Sequence, residues 1–484
     1  MKNIFIKLKI LFVTLIIISS CDYDTDINKD PDLLAPEDLP MSSQLPTSIT
    51  GIMASAGTYY AIPAGMWSQF FTQSALANQY RTIDDYSLTN SSPLVNGGWA
   101  QMYDALTDIR NIKANALTES NWNYLLIATT LEVYASQLLT DFYENIPYSE
   151  ANNPAILNPS FQSGEEVYNL MVADLKNALA KDLSSSSQDE IPGTDDLLFG
   201  GDMDNWERFA NTVLLKLYLR QSNARPSVAE DGIRTLINSG ANFMETAVAI
   251  ESFSDEAGKS NPLYENERRQ LNVGTNLRAS STLGTYLNSN NDTRLSSYYD
   301  GTTFQEQGDF EEDANGVASL PILNYDDPFY FITEAESYFL QAEARVRYFG
   351  GTGAQELYED GVTAAFSRWG LDASTFIATG GNYEYPNGTN EENIEAIILQ
   401  KWVDLFPGSG FESFIEQNRT GYPQLSSVAT TDPTYIPGQY TYSVEGTTGG
   451  LLPRRFEYPS DELSRNGNSP STLIDITEKT WYAN

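Results

Sequence analysis

"FITEAESYFLQAEARVRYFGGTGAQELYEDGVTAAFSRW", residues 331–369, carries the clearest periodicity in the chain. Ile332, Ala335, Phe339, Ala342, Val346 and Phe349 step by three and four, the single apolar stripe of an amphipathic helix. After Gly350-Gly351-Thr352-Gly353 a second helical segment runs from Ala354 to Trp369. Ala342, Ala344, Gly361, Ala364 and Ala365 are small enough to let two helices close on each other, so the stretch reads as a helical hairpin of tetratricopeptide size, without that repeat's consensus. The glycines make a turn and not a phosphate loop, because no Lys-Ser or Lys-Thr follows and no apolar strand precedes. Glu334, Glu336 and Glu343 read as helix-face charges, favoured near a helix N-terminus by the backbone dipole.

The same period recurs upstream. Tyr124, Ile127, Leu131, Tyr134 and Leu138 form one stripe, Trp206, Ala210, Val213 and Leu217 another, and 164–183 reads as a further amphipathic helix. Trp99, Trp206, Trp369 and Trp402 lie in such helical segments and are expected in the core, with Trp481 packing at the C-terminus and Trp122 at a helix start. "SSSS" at 184–187 reads as a loop. Residues 41–98, 255–328 and 426–470 are rich in Ser, Thr, Asn, Gly, Pro and Tyr and read as long loops, with a small hairpin expected at "GQYTYSVEG", 438–446. The expected fold class is therefore mainly α: repeat-like helix pairs with a loop-rich remainder and few short strands.

The N-terminus has a different logic. Lys2, Lys7 and Lys9 precede an apolar run from Ile10 to Ile18 and the small residues Ser19 and Ser20, the pattern of an export signal. That run is shorter than the roughly 20 apolar residues a spanning helix needs. Cys21 is the only cysteine in 484 residues, so no disulfide can form within the chain, and with no histidine present and acids around it, it is a poor nucleophile. Ile18-Ser19-Ser20-Cys21 resembles the lipobox of bacterial lipoproteins, which makes Cys21 the expected lipidation site. Asp22, Asp24, Asp26, Asn28 and Asp30 alternate like a calcium loop but fail its test, since Ile27 and Leu33 stand where an EF-hand needs Gly and Glu. With Pro31, Pro36 and Pro40 this stretch reads as a solvated tether. The expected division is 1–20 signal peptide, 21–40 lipidated flexible tether and 41–484 a single α-helical domain.

Composition excludes several functions. The formal charge is −37, and removal of Lys2, Lys7 and Lys9 with the signal peptide takes it to −40. Phosphates would be repelled by such a surface, so no nucleic-acid partner is expected. Absence of histidine closes the usual metal and triad chemistry. Sixty-five acids can satisfy any carboxylate spacing a glycosidase needs, so that signal carries no weight. Composition thus points to no enzyme chemistry and no cofactor, its acidity leaving room for a structural calcium ion.

Nine segments, in order, resemble the SusD/RagB family of nutrient-binding outer-membrane lipoproteins, in particular its SusD-like branch. They are "DINKDPD" (26–32), "WAQMYDALTDIRNI" (99–112), "DFYENIPYSEA" (141–151), "DNWERFANTVLLKLYLR" (204–220), "NSNNDTRLSSYY" (288–299), "EAESYFLQAEA" (334–344), "LQKWVDLF" (399–406), "NRTGYP" (418–423) and "LPRRFEYPSDE" (452–462). Thr293 and Asn418 depart from the family's usual Pro and Arg. The resemblance implies four tetratricopeptide-like helix pairs, a ligand-binding role for the 41–484 domain, and a cell-surface lipoprotein that captures oligo- or polysaccharide and delivers it to a SusC-like TonB-dependent transporter. A peptide-capturing lipoprotein of the same architecture, a surface glycoside hydrolase and a helical scaffold are the competing readings.

Sugar sites pair flat aromatic faces with polar groups. "QYRTIDDY", 79–86, offers Tyr80, Arg81, Asp84 and Tyr86 in an expected loop. By analogy with the loops that family sites draw on, Trp67 and Tyr264 join them. "NYEYP" at 382–386 is a weaker candidate, and Tyr435, Tyr440 and Tyr442 could equally meet the transporter.

Overall fold

The computed structural model describes residues 39–270, 276–311 and 317–483. The signal peptide, Cys21 and the acidic stretch behind it lie outside the described residues, and Met41–Asn484 form one compact unit.

Helix α1 (Met41–Ser55) opens that unit, followed by a π-helical turn (Ala56–Tyr60), α2 (Ala61–Trp67) and strand β1 (Phe71–Gln73). The region expected as loop is thus largely helical. Its serines and threonines turn inward onto the helix itself, as when Ser48 Oγ donates to the Gln44 carbonyl at 2.9 Å, while Leu45, Ile49 and Ile52 are fully buried at helical spacing. Two long helices come next, α3 (Pro93–Glu119) and α4 (Trp122–Tyr143). Ser92 caps the first by accepting from the Leu94 N–H, and Asn121 caps the second by accepting from the Tyr124 N–H. Short strands β2 (Ile146–Pro147) and β3 (Phe161–Gln162) pair antiparallel and lead into α5 (Gly164–Leu179), which starts at a Ser163–Glu166 capping box. "SSSS" begins in a single 3₁₀ turn, Leu183–Ser185.

Asp202 then caps α6 (Met203–Arg220), which packs with α7 (Pro226–Asn238). Strand β4 (Val248–Ile250), strand β5 (Leu277–Ala279) and α8 (Ser281–Ser289) stand in the loop-rich middle, β5 pairing antiparallel with β1. Strand β6 (Phe329–Ile332) pairs antiparallel with β4, so the hairpin starts later than its apolar stripe suggested: Thr333 leaves the strand and caps α9 (Glu334–Tyr348) by accepting from the Glu336 N–H. Gly350, Gly351 and Gly353 take positive φ and turn the chain into α10 (Ala354–Ser367). Helices α11 (Asn390–Asp404) and α12 (Gly410–Thr420) complete the bundle. "GQYTYSVEG" forms no hairpin; Tyr440 instead makes an isolated parallel bridge with Leu425.

Neighbouring helices pair as α1 on α3, α3 on α4, α4 on α5 and α6, and α9 on α10 and α11. Between them lies an ionic layer that includes two of the three glutamates expected as helix-face charges. Glu336 and Glu343 are buried, Glu336 against Lys216 at 3.0 Å and Glu343 against Arg419 at 2.6 Å. Arg220, wholly buried, pairs with Asp141 at 3.0 Å, with Glu412 at 2.9 Å and with Glu416, while Lys401 meets Glu412 at 2.9 Å. Burial alone would push Glu412 up, yet Arg220, Lys216 and Lys401 bring its carboxyl down to about 2.

Candidate functional site

A cleft of about 180 Å³ opens where four segments meet: Asn261–Leu263, the approach to β6 at Asp327–Tyr330, the end of α10 at Arg368–Trp369, and the turn after α11 at Leu405–Ser409. Asn261 is the joint between the first two. Its backbone N–H donates to the Tyr325 carbonyl at 2.8 Å, its Nδ2 to the Asp327 carbonyl at 2.8 Å, and its Oδ1 accepts from the Leu263 and Tyr264 N–H groups. Gly57 lets this segment close on the π-helical turn, because a Cβ there would sit 2.7 Å from Pro262.

Trp369 reaches the cleft because α10 stops at Ser367 and Gly370, at φ 69°, turns the chain. It is half-buried, not in the core as expected, and its Nε1 has no hydrogen-bond partner among the described residues. Trp99, Trp206 and Trp402 are buried as expected. Arg368 lies 5.1 Å above the Tyr330 ring and 5.3 Å from that of Trp369, with one Nη2 donating to the Asp404 and Phe406 carbonyls and Nε unpartnered among the described residues. Burial pulls its pKa down and the Asp404 carboxylate outweighs that, so it stays charged. Phe406 stacks on Tyr298 at 4.3 Å and closes the floor. Asp327 accepts from Asn324, and burial raises its carboxyl above the ordinary value. Half-exposed aromatic faces thus stand beside a carboxylate, a guanidinium, an amide and the Ser409 hydroxyl, the mixture that grips a polyhydroxylated ring.

The residues singled out in the sequence are not gathered here. Trp67 is 3% exposed, packed on Phe414 and Phe456 at 5.2 and 5.3 Å, with its Nε1 donating to the Ile83 carbonyl at 3.0 Å. Tyr80 is 2% exposed and donates to Glu267 at 2.9 Å. Tyr86, also 2% exposed, sits at φ 64° against Tyr442. Asp84 is fully buried and accepts from Thr72 Oγ1 and the Gln73 N–H, each at 2.7 Å, and from Gln307. None of the four is free, which corrects the stacking expected of the three aromatics and the hydroxyl bonding expected of Asp84: the middle of "QYRTIDDY" is a helical turn, Arg81–Asp84, and Tyr80 and Asp84 are satisfied from within the protein. Arg81 does reach the surface, paired with Glu311 at 3.0 Å above the Phe310 ring. Tyr264, half-buried beside Tyr325 at 6.4 Å, adjoins the cleft through Leu263. Tyr383 and Tyr385 of the weaker candidate stretch, and Tyr440, are buried too. Trp369, Tyr330 and Asp327 were missed, although an indole directly before Gly370 in "RWG" is a signal that the helix, and its buried stripe, ends there.

Among the described residues no group of His, Cys, Asp or Glu could hold a metal ion, and no helix is long and apolar enough to cross a membrane. A family model described as starch-binding and associating with the outer membrane matches residues 41–443. The chain belongs to the SusD-like family. Its fold is that of solved SusD homologues: one from Bacteroides uniformis has 22% identity and a TM-score of 0.71, covering 91% of this chain and 99% of that one. A chitin-binding protein gives 22% identity and 0.72 over 92% and 100%. A chitin-binding SusD homologue from Flavobacterium johnsoniae gives 20% and 0.71 over 91% and 98%. No curated protein matches the chain.

Proposed function

We propose that this SusD-like protein is a glycan-binding lipoprotein, not an enzyme, that captures oligo- or polysaccharide in the Trp369 cleft and passes it to a SusC-like TonB-dependent transporter. The observation that carries the reading is the cleft itself, with aromatic faces and both hydroxyl acceptors and donors around one ring-sized space, in a chain whose family is described as starch-binding. Two relatives of the same fold are chitin-binding, which widens the ligands to be tried beyond α-glucans. Residues 1–20 would direct export, and lipid on Cys21 with the 21–40 tether would hold the protein at the outer membrane facing outward, consistent with the family's membrane association. No cofactor takes part in capture.

Titration calorimetry of the protein against starch-type, chitin-type, mannan and fructan oligosaccharides, with a peptide digest as rival, tests this. Saturable heat from one glycan class is expected, and Trp369→Ala should weaken it by about 1–3 kcal/mol, as truncating an interface aromatic does. Heat from peptides alone would replace the glycan with a peptide ligand, and the anchor would be lost from the account if Cys21→Ala left membrane fractionation unchanged.

A further inference from the structure

A second surface cleft, of about 300 Å³, shares no lining residue with the first. It forms where "WAQMYDALTDIRNI", "DFYENIPYSEA" and "LPRRFEYPSDE" meet, three segments that the first cleft leaves unused. Tyr103 of α3 supplies a half-exposed ring, held in place because its hydroxyl donates to the Pro147 carbonyl at 2.8 Å and its ring packs 5.0 Å from Trp99. Asn152, at φ 59°, donates through Nδ2 to the Tyr103 carbonyl at 2.8 Å and to Thr107 Oγ1 at 2.6 Å, which leaves its buried Oδ1 without a partner among the described residues. Asp104, Asp461, Glu462 and Arg465 ring the mouth. Arg465 and Asp461 pair at 3.2 Å but are 77% and 60% exposed, so the pair contributes little to stability and both groups can turn to a ligand.

We propose that this cleft is a second saccharide subsite, taking one neutral sugar ring. Its aromatic floor suits the apolar face of a pyranose, and the acceptor-rich wall suits hydroxyl donors. Three carboxylates against one guanidinium, on a chain of formal charge −37, exclude uronate or sulfated units. The choice of ligand class rests on the glycan-capture reading; the location of the cleft does not.

The test is titration of the full chain with maltotriose and, separately, chitotriose, in the wild type, Trp369→Ala, Asp104→Ala/Asp461→Ala, and Arg465→Ala alone. The substituted acids and Arg465 are exposed, and circular dichroism would verify the fold of each variant. Expected are two saccharides per chain in the wild type, one component weakened and the other unchanged in Trp369→Ala, and loss of that other component in the double variant, with Arg465→Ala about tenfold weaker at it. Unaltered stoichiometry and affinity in the double variant, or a single component, weakened throughout, in Trp369→Ala, would overturn the second subsite while leaving glycan capture intact. A wild type that takes up no saccharide at all would instead remove both.

Discussion

Asp84 shows what a polar residue in an expected loop can become. Its carboxylate is fully buried, ties β1 to Gln307 across the loop-rich middle, and is raised from 3.8 to about 6, burial outweighing the hydrogen bonds from Gln73, Thr72 and Gln307 that favour the charged form. In the window between those two values the native state holds a proton that the unfolded chain has released. Stability from this group is therefore present below the ordinary value and lost as pH rises through about 6. Asp84→Asn cannot titrate, so its melting temperature should fall less than that of the wild type as pH climbs through this window; parallel profiles would show that Asp84 keeps its ordinary value. Composition revealed that Tyr80, Arg81, Asp84 and Tyr86 were polar or amphipathic. It could not reveal that Glu267 and Gln307, more than 180 residues away, would satisfy two of them internally.

At the level of the element, helices were legible where a stripe and a cap coincide. Helix α9 has both, and so do α4 and α6. Helix α1 was illegible because Pro46 stands within it and its serines read as turn formers, although the buried Leu45, Ile49 and Ile52 keep the helical step. The cleft was less legible than the fold, because it is assembled from four segment ends and Trp369 belonged to a helix by sequence and to a turn in space. The small residues of the hairpin do the work the sequence assigned to them. A Cβ on Gly361 would lie 2.6 Å from the Phe339 ring, too close for any relaxed packing of α10 on α9. Gly361→Ala gains roughly 1 kcal/mol of helix propensity and meets an overpacking cost of about 1–3 kcal/mol. A net loss of up to about 2 kcal/mol in urea unfolding is expected from the balance of the two. A more stable variant would mean that Phe339 can move aside.

The whole molecule combines a strongly acidic composition, 65 acids to 28 bases, with an ionic layer inside the bundle. The two respond differently to salt. Repulsion among exposed carboxylates acts through water and is cut off beyond about 8 Å at physiological ionic strength, so added sodium chloride should raise the urea midpoint of the wild type. Arg220 is beyond that screening: its side chain is wholly buried between Asp141, Glu412 and Glu416, from α4 and α12. Arg220→Ala leaves those carboxylates uncompensated in the interior and should cost about 3–5 kcal/mol. Because ions do not enter the bundle, the gap between variant and wild type should stay constant from low to high salt while both midpoints climb together. Closure of the gap at high salt would mean that the layer is open to solvent, and a midpoint that falls with salt would mean that exposed ion pairs, and not repulsion, dominate the surface of this protein.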